Sequence, residues 1–185
     1  MKRRTLGILT AALLAGPFGA QAQQSFPAQP VKWVVPYAPG GTTDVIARNL
    51  AVRMGQDLGQ PVIIDNKPGA ASIIGATFIA RSAADGYTIG TADSGTLAFN
   101  PAMYSSLSYN AEKDFTLIGG LGRMPLVLAV HPSFPGKDVK EFMAQVRKSP
   151  GSISSASSGP GSPLHVALEL FKQRTGTDIL HVAYK

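Results

Sequence analysis

The chain has no cysteine. This excludes a disulfide framework, thiol catalysis, a lipid-modified cysteine behind a leader and any zinc site that needs sulfur. The apolar stretch near the N-terminus, Leu6 to Ala15, falls well short of the roughly 20 residues a membrane span needs, so it does not read as an anchor. Enzyme signatures are scarce as well, since no GxSxG elbow, GxGxxG turn or P-loop occurs. His131, His165 and His181 are too sparse to suggest a metal site, and neither metal nor cofactor is expected. There is no solenoid-type repeat and no low-complexity tract.

What is present fits a globular exported protein. The 185 residues, 44% of them hydrophobic, suffice for a real core. Residues 1–22 read as a cleavable signal peptide: Lys2, Arg3 and Arg4 form a positive n-region, Leu6 to Ala15 an apolar h-region, and Ala20-Gln21-Ala22 a small-residue cleavage site before Gln23. The Arg3-Arg4 pair leaves the twin-arginine route open. Without the leader, fourteen basic residues face eleven acidic ones, a net +3 in place of +6. Only Arg147 and Lys148 are then adjacent, and no basic patch is interleaved with aromatics, which argues against nucleic acid as a partner. The slight positive balance favours anionic small molecules.

Short β-rich runs alternate with helical patterns. VKWVV (31–35), PVIID (61–65), YTIGTA (87–92), PLVLAV (125–130), SISSAS (152–157) and ILHVA (179–183) read as buried strands of the parallel type. Helical spacing runs over Asp44–Leu58, Ser72–Ser82, Asp138–Lys148 and Pro163–Arg174. Such alternation implies an α/β fold with helices on both faces of parallel sheets. Asn100 to Gly122 breaks the rhythm, as a passage into a second domain or as a surface excursion.

Three loops each follow a strand and precede a helix, the position where open α/β sheets bind ligands. In Pro36–Asp44, Gly40 and Gly41 relieve backbone restrictions, and Thr42 or Thr43 is expected to cap the next helix, whose free N–H groups suit an anion. The second loop is Asp93-Ser94-Gly95-Thr96. The third runs from Ser157 to Ser162, with Pro163 placed for a first helical turn. Any one of them is also ordinary turn and cap chemistry. Together they offer small residues and hydroxyl donors with few fixed cations, a pocket that would hold an oxyanion by neutral hydrogen bonds.

The segments VVPYAPGGTTD, DNKPGAASIIGA, DGYTIGTADSGTLAFNPAMY, KDFTLIGGL and SISSASSGPGSPLHVALELFKQRTGTDILHVAYK closely resemble, in order and across the chain beyond its leader, the tripartite tricarboxylate transporter receptors, or Bug solute-binding proteins. The resemblance implies a periplasmic binding protein fold of type II, with two parallel-sheet lobes joined by a hinge, here truncated at the C-terminus. Residues 23–122 would form the first lobe and 123–185 an incomplete second. It implies a periplasmic, monomeric receptor that captures a small carboxylate (a di- or tricarboxylate, an acidic amino acid or an aromatic acid) and presents it to membrane transporter subunits or a sensor kinase. The site residues it implies are Tyr37, Ala38, Gly41, Thr42, Thr43 and Asp44 on the first loop, and Thr91, Ser94 and Thr96 on the second. Ser157, Ser158, Gly161 and His165 would lie on the opposing lobe. Asp44 is equally readable as a helix N-terminal acid that touches no ligand, and His165 as a residue that orients its loop.

The chain departs from the family pattern at Tyr37, often Phe, at Ser154-Ser155, often Asn-Tyr, and at Ala183, often Pro. The pattern also continues beyond Lys185 in relatives, so a chain of this extent is expected to fold poorly alone. The alternative from another class is an exported serine-type hydrolase, with Ser94, Ser157, Ser158 or Ser162 as nucleophile, His165 as base and Asp44 or Asp93 as orienting acid.

Overall fold

A computed structural model describes residues 26–184. The signal peptide read in residues 1–22 lies outside them. The first unit is β1 (Val31–Val35), α1 (Thr42–Leu58), β2 (Val62–Asn66), α2 (Ile73–Ala80) and β3 (Thr88–Gly90). A π-type turn, Gly95–Phe99, then runs into the short helix α3 (Asn100–Met103). After an irregular stretch come α4 (Val139–Lys148), β4 (Ser154–Ser157), α5 (Pro163–Thr175) and β5 (Leu180–Ala183).

The first sheet is wholly parallel, in the order β2-β1-β3. Val31 pairs with Val62 and Val35 with Asn66 on one side of β1, and Lys32 pairs with Thr88 on the other. Because the chain leaves β2 and crosses β1 to build β3, the strand order reverses between β1 and β3, and their outgoing loops diverge around a crevice at the carboxyl ends. A second parallel sheet pairs β4 with β5, Ser154 opposite Leu180 and Ser157 opposite Ala183.

Each sheet has its own core. Trp33 and Val35 pack on Ala47 and Ala51 of α1, with Met54, Val62, Ile64 and Ile89 around them. The small residues at 47 and 51 let α1 lie close to the sheet, and Gly59, left-handed at φ +67°, ends that helix. The second core joins Phe142, Met143 and Val146 of α4 to Ile179, with Ile153, Leu168 and Phe171 partly buried against it. Asp138 caps α4 by accepting the N–H of Glu141 at 2.8 Å, and Ser162 caps α5 by accepting that of His165.

Two expectations fail. PLVLAV at 125–130 is no strand: it pairs with no neighbour, and Val127 is 81% exposed. Apolar β-formers make a strand only when adjacent backbone completes their hydrogen bonds, and none of the described strands does so. The strands are also less buried than expected. Only central β1 is largely enclosed, whereas β2 and β3 are edges and β4–β5 is a two-stranded ribbon.

Candidate ligand-binding site

The first loop is tied by a network behind it. Asp44 is 2% exposed, and its Oδ2 accepts the Gly40 N–H at 2.8 Å and the Arg48 Nε–H at 2.9 Å. Its Oδ1 accepts from Asn66 Nδ2 at 2.9 Å, and the same amide donates to the Tyr37 carbonyl at 3.1 Å. Arg48 closes the ring by donating from Nη2 to Asn66 Oδ1 at 2.9 Å. These donors, the Arg48 guanidinium first, hold the Asp44 carboxyl far below the usual carboxylate range. Asp44 therefore binds its own loop, and Arg48, the cation at this loop, is spent on Asp44 and Asn66.

The capping expectation is corrected here. The Gly41 carbonyl already accepts the N–H of Val45, so Gly41 is the N-cap and Thr42 and Thr43 lie inside the first turn, where neither hydroxyl caps the helix. Gly41 is extended at φ −70°, which any residue adopts; the position that needs glycine is Gly40, at φ +82°.

The second loop is bonded to the first. Tyr37 donates its hydroxyl to Asp93 Oδ2 at 2.7 Å, and Asp93 Oδ1 accepts the Thr96 N–H at 3.0 Å. Burial, reinforced by the Asp93 charge, raises the Tyr37 pKa, so the phenol stays a neutral donor. Thr91 is buried with Oγ1 accepting from Trp33 Nε1 at 2.9 Å, and buried Thr96 shares a hydrogen bond with Ser72 Oγ at 2.8 Å. Ser94 is exposed.

A fourth loop joins these: where helical spacing is expected to begin at Ser72, a tight turn occupies Ala70–Ser72 and the helix starts at Ile73. Ala70, Ala71 and Ser72 lie in left-handed conformation at φ 45°, 51° and 75°. Asn100 Nδ2 donates to the Ala71 carbonyl at 2.8 Å, and the Tyr109 hydroxyl donates to the Thr96 carbonyl at 2.7 Å. The available signal was Pro68-Gly69, a turn marker at the end of β2.

In the third loop Ser157 is buried, and its Oγ accepts the Gly159 N–H at 3.1 Å and lies 2.6 Å from His181 Nε2. Gly161, at φ +76°, donates its N–H to His165 Nδ1 at 3.0 Å. Ser158 is exposed. This loop faces the first sheet: a Cβ on Gly161 would lie 3.3 Å from Ala71 Cβ and 3.5 Å from the Tyr104 hydroxyl, and one on Gly95 would lie 3.5 Å from Pro163 Cδ.

The structure thus gathers Tyr37, Thr96, Gly161 and the unforeseen Ser72 around one facing zone. Ala38, Gly41 and Thr42 are exposed, Thr43 is half-buried, and Thr91 turns away to Trp33. His165 is not positioned on a serine hydroxyl as a base; its Nδ1 accepts from Gly161, and the serine–histidine contact is Ser157 with His181. A shallow groove lined by Arg48, Ala51, Val52, Gly55 and Pro61 lies between α1 and β2 and includes none of these strand-end loops.

Residues 46–185 match the family described as the tripartite tricarboxylate transporter family receptor. The chain belongs to that family. Its members are solute receptors, not enzymes. As a member, the receptor chain is 38% identical over 182 residues to protein BugT of Bordetella pertussis, covering 97% of this chain and 55% of BugT. Among solved structures it resembles R. palustris Rpa4515 with adipate (TM-score 0.83, 37% identity, 86% of this chain and 54% of that one). It also resembles MatC of Rhodopseudomonas palustris with bound malate (TM-score 0.79, 35% identity, 86% and 54%). The fold is that of a periplasmic binding protein, and the chain spans about half the length of the curated relatives it matches.

Proposed function

We propose that the protein carrying this chain is a periplasmic receptor that captures a small carboxylate between two lobes. Residues 23–122 supply the first lobe and 123–185 part of the second. The observation that carries this reading is the facing of three strand-end loops: exposed Thr42, Ser94 and Ser158 stand on them, while Thr91, Thr96 and Ser157 are already bonded within the protein. Free hydroxyls at the carboxyl ends of strands, beside the N-termini of α1 and α5, suit an anion's oxygens. Adipate and malate, bound in two similar structures, are carboxylates of this size.

Capture proceeds by closure. The carboxylate docks against the Tyr37–Thr43 loop, and the Ser157–Ser162 loop approaches from the opposite side, where Gly161 leaves room for Ala71. Membrane transporter subunits, or a sensor kinase, then distinguish closed from open receptor. No cofactor takes part, and the receptor works as a monomer.

The test is a thermal-shift screen of the protein expressed from its full reading frame. Malate, adipate, acidic amino acids and aromatic acids are compared with their neutral amides. At about 100 times its Kd a ligand adds roughly 2.7 kcal/mol, a shift of a few degrees. Stabilisation by an acid and not by its amide supports the reading; a well-folded sample that answers to no acid removes it.

A further inference from the structure

The third loop is held by two histidines from different elements. His165, on α5, accepts the Gly161 N–H at Nδ1, 3.0 Å away. His181, on β5, meets Ser157 Oγ through Nε2 at 2.6 Å, and that oxygen also accepts the Gly159 N–H. The rings stack with centroids 4.0 Å apart and planes inclined by 18°. Between them, the two side chains hold both ends of a loop that contains two left-handed glycines, Gly159 at φ +111° and Gly161 at φ +76°.

This arrangement has a protonation requirement. An amide N–H only donates, so His165 Nδ1 must be bare, and the neutral ring carries its proton on Nε2. A second proton, on Nδ1, would set N–H against N–H and break the hold on Gly161. Protonating both rings would also stack two cations at 4.0 Å. The surrounding charges do little to offset this. Glu169 Oε1 lies 3.8 Å from His165 Nε2 but is paired with Lys172 Nζ at 2.9 Å. Strand β4 contributes only serine hydroxyls and an alanine, and from the first sheet's side the Tyr104 phenol faces Gly161. Burial, then the neighbouring His165, hold the His181 pKa below its ordinary value, with Glu169 opposing.

We propose that His165 is a positioning residue that holds the Gly161 end of the Ser157–Ser162 loop in its observed shape only while its Nδ1 is bare, with His181 stacked against it and bonded to Ser157, so that acidification releases that end of the loop. The consequence for capture rests on the carboxylate-receptor reading; the hold on the loop does not. The sign follows from the geometry, since the Gly161 N–H needs a bare Nδ1 on His165, and the lowered His181 value works in the same direction. Its contribution is complete above the ordinary 6.5 and is lost as pH falls from there toward the folded-state value.

The test needs no ligand. In the full-length protein, the Gly161 amide and the histidine rings are followed by NMR from about pH 8 to about pH 5, the span over which histidines change charge. The Gly161 amide should shift with the ring titrations, and exposed His131 serves as an internal control. His165→Asn keeps an acceptor near the Nδ1 position but cannot charge, and should remove the His165 step from the Gly161 profile, leaving only the step of neighbouring His181. His181→Gln should likewise remove the His181 step from the profile. A Gly161 amide that ignores the ring titrations, or whose pH profile is the same in His165→Asn as in the unaltered protein, overturns the proposal. If the amide follows the rings while no carboxylate binds at any pH, the proposal stands and the receptor reading falls.

Discussion

At the scale of single residues, the first loop depends on a side chain outside it. Asn66, the last residue of β2, gives one amide proton to the Tyr37 carbonyl and another to Asp44. Asn66→Leu keeps the branched shape but leaves two partly buried acceptors without their donor, at a cost of roughly 1–3 kcal/mol. A melting point lower by several degrees, with weaker carboxylate binding, is the expected result; unchanged binding would mean the loop holds its shape without Asn66. Asp44 makes a pH prediction. Its folded-state pKa is depressed, so its contribution is present above the ordinary 3.8 and is lost as pH falls through the lower folded value. Asp44→Asn should therefore flatten the acid side of the stability–pH curve, read from denaturant midpoints. Asp44 was legible in the sequence as an acid at a helix start. Asn66 was not, because its partners lie in the loop that β1 feeds and on α1, and only the register Val35↔Asn66 brings them together. His181 was hidden in the same way, since a residue on β5 reaches Ser157 only through strand pairing.

Among elements, helices were the most readable. Periodicity, the Ser162-Pro163 onset of α5 and the left-handed glycines at 59 and 176 fix their ends locally. The turn before α2 resisted reading because alanine and serine at 70–72 hold angles that sequence rules assign to glycine. A left-handed alanine costs roughly 1–2 kcal/mol, and replacing it by glycine returns about 0.4–1 kcal/mol to the unfolded chain's entropy. Ala70→Gly should thus stabilise the protein by about 0.5 kcal/mol; a fall in stability would show that Ala70 makes a contact worth more than its strain. The opposing turn predicts the reverse. Gly161→Val puts a branched side chain at φ +76° and 3.3 Å from Ala71 Cβ, so the two loops cannot approach. Calorimetric titration with the best acid from the screen should show affinity reduced by more than tenfold, with the helical circular dichroism retained.

At the scale of the molecule, the unpaired stretch decides what this chain does by itself. Leu117, Ile118, Val127 and Leu128 are 73%, 85%, 81% and 55% exposed, and the run 125–130 has the composition of a buried strand without a strand beside it. Exposed apolar surface on this scale is far from that of a stable monomer, and unpaired β-prone backbone invites pairing between copies. The two small cores offer little to set against it: a three-stranded sheet packed on α1, and a two-stranded ribbon backed by α4 and α5. The curated relatives it matches are about twice as long. Residues 23–185 expressed alone should consequently bind an apolar-surface dye strongly, melt over a broad range and associate as concentration rises. The full-length protein should do none of these. A sharp, dye-free, concentration-independent melt of 23–185 would show instead that residues 116–130 fold back onto one of the two sheets in solution.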